Sequence, residues 1–253
     1  MIVIRRELAA IRAAVMFFTR LPVLSSARHD PADLQRAAAW FPLVGWLVGG
    51  VAAGVWWAAA QVWPPAIASG LSLVATLLLT GAFHEDGLAD VCDGFGGGYT
   101  KERTLEIMRD SRVGAFGAIG VVVMLGLKWQ TVAALPPTWG GAAVLLAGHA
   151  VSRAAAVSLM AVLPYVREET GKAKPLATEL SGGRLWVALL CGFAPLAFLP
   201  VKCMWAVAGV AVLWLMLARW FQRRIGGYTG DCLGAAQQVC EVGFYLGVAA
   251  LLR

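Results

Sequence analysis

Residues 84–98 read HEDGLADVCDGFGGG and follow a stretch as apolar as LSLVATLLLTGAF. Asp86, Asp90 and Asp93 stand at i, i+4 and i+7. On one helix a ~3.6-residue period gathers them within about 60° of arc and about 10 Å of length. Like charges that close repel, and near a bilayer the screening is poorer than in water. Such a row persists by raising its carboxyl pKa values or by sharing a cation. A hard divalent ion is the simpler solution: Mg²⁺ takes carboxylate oxygens, keeps waters and accepts substrate phosphates as its remaining ligands. A solvated acidic helix end is the plain alternative, yet it requires neither three aspartates on one stripe nor the glycines just beyond. Gly94, Gly96, Gly97 and Gly98 let a ligand or helix approach the backbone, or offer successive N–H groups to an anion. Taken alone, GFGGG serves equally well as a helix stop. His84-Glu85 opens like a zinc-protease HExxH, but Leu88 stands where the second histidine belongs. His84 is therefore read as a candidate proton shuttle or structural partner of an aspartate. Glu85, about 100° off the stripe, is a second-tier metal ligand.

Cationic partners follow. TKERTLEIMRDSR (100–112) reads as a short helix with Thr100 as N-cap. It ends in Arg109-Asp110-Ser111-Arg112, two guanidinium groups around an aspartate. Arginine suits bidentate phosphate recognition; anchoring to acidic lipid heads is the competing use. Lys128, His149, Arg153 and Glu241 fall within apolar stretches, where an ionisable side chain is costly. Lys128 is expected to snorkel to the outer interface with Trp129 and Gln130. Arg153 has no such escape, and a buried anion is its expected partner. Glu241 is equally suited to pair with a basic residue or to take a catalytic part. In GGYTGDCLGA (226–235), Asp231 either completes a carboxylate cage or caps the following helix.

The elements that hold these residues are those of a membrane protein. Of the 253 residues 59% are hydrophobic and 14% charged, against roughly 45–50% and about 25% in soluble domains, with a mean hydropathy of +0.71. A net charge of +6 in such a chain records topology rather than nucleic-acid binding. The five cysteines show no metal spacing. Apolar runs long enough for a ~30 Å core fall near 39–62, 65–83, 114–135, 140–163, 185–200, 202–219 and 234–252. The fifth carries Pro195 and is expected to kink. The first residues read as an amphipathic interfacial helix without a cleavable signal. The fold expected is an all-α, polytopic integral membrane helical bundle of about seven transmembrane helices, six to eight, plus that N-terminal helix, in one domain spanning 1–253. Lys and Arg gather in alternate connections: Arg5, Arg6, Arg12, Arg20, Arg28 and Arg36; Lys101 to Arg112; Arg167, Lys172, Lys174 and Arg184; Arg219, Arg223 and Arg224. The positive-inside rule puts these in the cytoplasm, with the N-terminus on the cytoplasmic side of the cytoplasmic (inner) membrane and the C-terminus outside. The segments 84–113, 164–184 and 220–233 thereby share one face and are expected to form the active site.

Carboxylates around a divalent metal, arginines and glycine loops together specify phosphate chemistry. There is no GxxxxGK[ST] loop. The CDP-alcohol phosphotransferase pattern starts similarly at Asp86-Gly87-Leu88-Ala89, but Asp90 replaces its arginine and no later GxxxDxxxD follows.

The sequence resembles more closely the cobalamin synthase family, the adenosylcobinamide-GDP ribazoletransferases of the coenzyme B12 pathway. The resemblance runs through FFTRLPV (17–23), FPLVG (41–45), HEDGLADVCDGFGGG (84–98), EIMRDSRVGAFG (106–117), SR (152–153), PYVRE (164–168) and TGDCLGA (229–235). It covers nearly the whole chain, and no departure occurs within those segments. It implies a Mg²⁺-dependent polytopic inner-membrane phosphotransferase. Such an enzyme joins adenosylcobinamide-GDP to α-ribazole or its 5′-phosphate, giving adenosylcobalamin or its 5′-phosphate and releasing GMP. On that reading Asp86, Asp90 and Asp93, with Asp231 and Glu85 in support, hold the metal. Asp90 or Asp93 takes the hydroxyl proton, with His84 as a further catalytic candidate. Arg109, Asp110, Arg112, Arg153, Gly96, Gly97 and Glu241 contact substrate. Expected partners are these small molecules and membrane lipid, with other pathway enzymes or further copies of the chain as additional ones. An ion-coupled transporter with a cytoplasm-side acidic site is the competing class, although transport sites lie near the midplane.

Overall fold

Backbone polar groups in an apolar medium must be satisfied within the segment, so apolar runs of this length become helices. The computed structural model describes residues 2–22, 36–166 and 180–252. Among these the chain forms ten α-helices: α1 (Ile2–Phe18), α2 (Phe41–Ala59), α3 (Pro65–Thr80), α4 (Phe83–Gly97), α5 (Lys101–Ile107), α6 (Ala115–Ala133), α7 (Trp139–Leu159), α8 (Gly182–Phe193), α9 (Met204–Ile225) and α10 (Gly230–Leu251). It is an all-α bundle of polytopic membrane type. The segment 164–184 expected at the site lies mostly outside the described residues, as do Arg28, Arg167, Lys172 and Lys174.

Among the described residues four helices are long and apolar enough to cross a membrane: Ala38–Ala59, Ala115–Ala133, Trp139–Leu159 and Val201–Ile225. The expected second span is instead a broken pair, α3 and α4, bent by 89°. The fifth is short and apolar, and it passes into a 3₁₀ turn at Ala194–Phe198 that contains Pro195, where a kink was expected. The seventh, α10, has 22 residues but carries Gln237, Gln238 and Glu241, all buried.

At the centre is α7, buried along nearly its whole length. Helix α2 lies against it at very short range: a Cβ on Gly45 would sit 2.5 Å from the His149 carbonyl oxygen, and one on Gly49 2.9 Å from the Leu146 Cα. Only glycine permits backbones to approach so closely, and van der Waals contact then replaces the hydrophobic drive absent among lipid tails. The outer helices α6 and α9 turn Ile119, Val122, Leu127, Val212 and Met216 outward, an apolar exterior suited to lipid and unsuited to water.

The break between α3 and α4 rests on two left-handed residues, Gly81 (φ 67°) and Ala82 (φ 57°). Ala82 bears the Cβ penalty of that region, roughly 1–2 kcal/mol. The Arg20 side chain covers Gly81, and the Arg20 N–H donates to the Leu79 carbonyl at 2.8 Å. After the turn, α4 packs against α10, α6 and α5. Its acidic row therefore does not extend the span that precedes it. It lies across one end of the bundle, over the first residues of α6 and α10.

Gly45→Val should lower the melting temperature in detergent by the equivalent of about 1–3 kcal/mol of overpacking, because the obstructing atoms are backbone. Gly50→Ala, with nothing within 4 Å of the added carbon, should leave stability unchanged or slightly raised. Equal behaviour of the two variants contradicts the close α2–α7 crossing.

Candidate active site

Helices α4 and α10 cross where neither has a side chain to separate them. A Cβ on Gly87 would lie 3.0 Å from the Asp231 Cα, and one on Gly234 3.2 Å from the His84 carbonyl oxygen. This crossing puts Asp86 and Asp231 on the wall of one cavity of about 300 Å³. Phe17 and Phe18 enter from α1, Phe41 from α2, Phe83 and His84 from α4, Arg153 from α7, and Tyr165 and Tyr228 from connections. Those two connections are tied together: Val166 N–H donates to the Tyr228 carbonyl (3.0 Å) and Tyr228 N–H to that of Pro164 (2.9 Å). Burial lifts the Tyr228 phenol to about 12, so it stays neutral at any working pH.

The aspartate stripe survives, because residues 86, 90 and 93 all belong to α4, but its members have different surroundings. Asp86 is exposed, whereas Asp90, Asp93 and Asp231 are half-buried. Asp93 accepts N–H bonds from Gly114 (2.7 Å) and Gly117 (2.8 Å) with its two oxygens. It thus satisfies orphan donors at the start of α6, where the helix dipole favours a negative charge. Among the described residues no three His, Cys, Asp or Glu side chains are grouped closely enough to hold a metal ion. Two carboxylates on one cavity nevertheless suit an ion that takes most of its other ligands from phosphate and water. Asp231 is not the N-cap of α10. That position belongs to Thr229, whose Oγ1 accepts from the Cys232 N–H at 3.3 Å.

His84 is buried and lies parallel to the Phe18 ring, centroids 5.2 Å apart. Gly96 and Gly97 fall in the last turn of α4 rather than in a loop. Gly96 meets the Phe116 ring and Gly97 the Ile107 side chain, while Gly98 admits Thr104 of α5. The run of glycines is thus a packing surface for α5 and α6. Thr100 does cap α5, accepting from the Arg103 N–H. Arg109 and Arg112 are exposed. Asp110 and Arg112 form a bidentate pair, with Arg112 Nη2 2.7 Å from Asp110 Oδ2 and Nε 3.0 Å from Oδ1. This pairing holds the Asp110 carboxyl at about 2 and raises the guanidinium pKa, so the turn keeps both charges across the neutral range.

Lys128 does not snorkel. It is 5% exposed, with Nζ 2.8 Å from Gln238 Oε1 and 3.1 Å from Glu241 Oε1. Glu241 also lies 3.2 Å from His149 Nδ1, and the Gln237 amide bonds to it. The Gln238 amide donates to Glu85 Oε1 at 2.9 Å. Glu85 and Glu241 are therefore core residues of this network, away from the cavity wall. Arg153 Nη1 donates to the His149 carbonyl at 2.9 Å and lies 3.3 Å from His149 Nδ1. That one ring nitrogen is in reach of a carboxylate, which only accepts, and a guanidinium, which only donates. Its protonation decides which neighbour it bonds. Arg153 is 3% exposed, its Nε has no partner, and no carboxylate of the described residues lies within salt-bridge distance. It lines the cavity as a buried cation whose Nε is engaged by none of the described residues.

Two groups of residues carry more of the site than their sequence signals suggested. Arg224, read from sequence only as a topology signal, donates to the Phe95 (2.7 Å) and Gly98 (2.6 Å) carbonyls and lies over the Phe95 ring. It holds the C-terminal end of α4, and its place beside the GGYTGD stretch was the available clue. The aromatic wall was present in FFTRLPV, FPLVG and PYVRE, where rings in apolar surroundings look like ordinary core.

Removing one member of a buried ion pair leaves the other uncompensated, at a cost of about 3–5 kcal/mol. Lys128→Met and Glu241→Gln should each lower the melting temperature sharply, and the double variant should lose less than the sum. Strict additivity would show that the two charges do not interact.

A sequence profile of the family described as cobalamin-5-phosphate synthase matches residues 10–249. A protein of Ralstonia pickettii called adenosylcobinamide-GDP ribazoletransferase is 51% identical, covering 98% of this chain and 97% of its own. Proteins given the same description in Leptothrix cholodnii and Vibrio cholerae are 49% identical (92% and 92% covered) and 40% identical (99% and 97% covered). No solved structure matches. With the profile running nearly end to end and relatives aligned over almost their full length, the chain belongs to the cobalamin-5-phosphate synthase family.

Proposed function

We propose that the protein is an adenosylcobinamide-GDP ribazoletransferase of the cytoplasmic membrane. A ribose hydroxyl of α-ribazole or its 5′-phosphate attacks the phosphorus next to the cobinamide arm. The new phosphodiester forms, the bond to GMP breaks, and the hydroxyl proton leaves to a carboxylate. The observation that carries this reading is the cavity on which Asp86, Asp231 and Arg153 meet, in a chain of this family.

Asp86 and Asp231 are the residues that would hold Mg²⁺ against the diphosphate, where the ion would neutralise phosphate oxygens as charge develops on the leaving group. Asp90, one turn from Asp86 on α4, is the proposed acceptor of the hydroxyl proton. Asp93 is already engaged by Gly114 and Gly117 and acts by fixing α6 against α4. Arg109 and Arg112, in the α5–α6 connection beside that junction, are the proposed electrostatic approach for the doubly anionic substrate. The family match and full-length likeness to proteins of that description support the transferase over the transporter. The charge pattern supports a site facing the cytoplasm: Lys101, Arg103, Arg109, Arg112, Arg219, Arg223 and Arg224 flank the cavity end, whereas Lys202 lies in a connection of the opposite end.

Purified protein in detergent, given adenosylcobinamide-GDP, α-ribazole 5′-phosphate and Mg²⁺, should release GMP and lose this activity on chelation. Asp86→Asn and Asp231→Asn should each cut turnover by about 10²-fold or more with the melting temperature preserved. Asp93→Asn should lower activity together with stability, by roughly 0.5–2 kcal/mol for a lost helix-end acceptor. Full turnover in both Asp86→Asn and Asp231→Asn removes the site.

A further inference from the structure

We propose that the cavity is the subsite for the acceptor nucleoside, a flat bicyclic aromatic base on a ribose phosphate, and that the corrin macrocycle remains outside it. The proposal rests on the transferase reading above. Its first ground is size. A volume of about 300 Å³ is at the small end of the roughly 300–1,000 Å³ that hold drug-sized ligands. A benzimidazole with its ribose is of that order, whereas a corrin ring with its amide arms is far larger.

The second ground is the wall. Phe18 packs edge-to-face on Phe41 (centroids 4.3 Å) and Phe83 (5.3 Å), and Tyr165 on Tyr228 (5.5 Å). Aromatic surfaces that lock one another in place present a preformed slot to a planar base, which gains by stacking and loses little entropy. A phosphodiester arm or an amide-bearing ring edge has no comparable use for such a wall.

The third ground is charge. Arg153 is more than nine-tenths buried, with a partnerless Nε and no carboxylate of the described residues in salt-bridge range. Its Nη1 is held by His149, but a buried N–H left without an acceptor is expensive, and a phosphate monoester satisfies it with a charge-assisted bond. Asp86 and Asp231 would be taken up by the ion on the donor diphosphate, which leaves Arg153, the one arginine among the lining residues, for the monoester. The nucleoside is thereby polarised, with its 5′-phosphate at Arg153 and its reacting hydroxyl toward the two carboxylates. The diphosphate of the second substrate reaches that carboxylate edge from outside, so neither substrate needs to pass the other.

Initial-rate kinetics with each substrate varied in turn test this. Ala156→Leu fills the cavity from α7, and Phe83→Ala removes an aromatic from its exposed rim, so at least one is expected to fold. Each should raise KM for α-ribazole 5′-phosphate about tenfold or more and leave KM for adenosylcobinamide-GDP within about twofold. The wild type should bind the phosphorylated nucleoside about tenfold more tightly than α-ribazole in calorimetric titration, and Arg153→Lys should narrow that ratio. A rise confined to the corrinoid substrate, an equal rise for both, or no rise overturns the subsite. Equal affinity for the two nucleosides overturns the placement of the phosphate. Absence of GMP release by the wild type would instead refute the transferase reading itself.

Discussion

An ammonium and a carboxylate placed in an apolar interior cannot be separated, because each alone carries a desolvation cost that only the other offsets. Lys128 of α6 and Glu241 of α10 are such a pair, 3.1 Å apart, and the rest of the architecture follows from their being held together. His149 of α7 joins at Glu241, and Gln238 carries the network on to Glu85 of α4. Four helices are thereby fixed in register by polar contacts that no sliding of greasy surfaces would preserve. Once Glu85 is bound to Gln238, Gly87 comes to lie against Asp231, and the crossing that builds the cavity is set. The network reaches the cavity wall through His149 and Arg153, and it determines where Asp86 and Asp231 stand.

The same medium explains how the bundle holds together elsewhere. Lipid gives no hydrophobic reward for bringing helices into contact, so close approach has to come from small residues. Gly45 and Gly49 serve α2 against α7, and Gly87 and Gly234 serve α4 against α10. At the second crossing the missing side chains have two consequences. They allow packing, and they leave Asp86 and Asp231 on a common wall. Glycine in this chain is thus a structural device that leaves two carboxylates on one cavity as its by-product.

Division of labour along α4 follows from position on the helix and from what each position faces. Asp93 meets the unsatisfied N–H groups of α6, a demand that a helix start makes irrespective of catalysis. Asp86 faces the cavity. His84 and Glu85, next to each other in sequence, point to an aromatic wall and to the buried network respectively. Arg224 anchors the far end of the helix through two carbonyl oxygens. A fifteen-residue helix is in this way held by α6, α9 and α10 and keeps one edge open.

The sequence by itself determined the all-α membrane class, most of the apolar segments and the aspartate stripe. Each of these depends on composition or on a helical period, which are local properties. The helix break did not show, because Ala82 gives no warning that its neighbours will force it into the left-handed region. Lys128 was misread for a different reason: its partner is more than a hundred residues away, and a lone charge in an apolar run gives no sign of a facing charge. Asp93 and Asp231 look equivalent as letters. Only the tertiary structure assigned one to a helix start and the other to a cavity, since an acceptor's role is decided by which donors surround it.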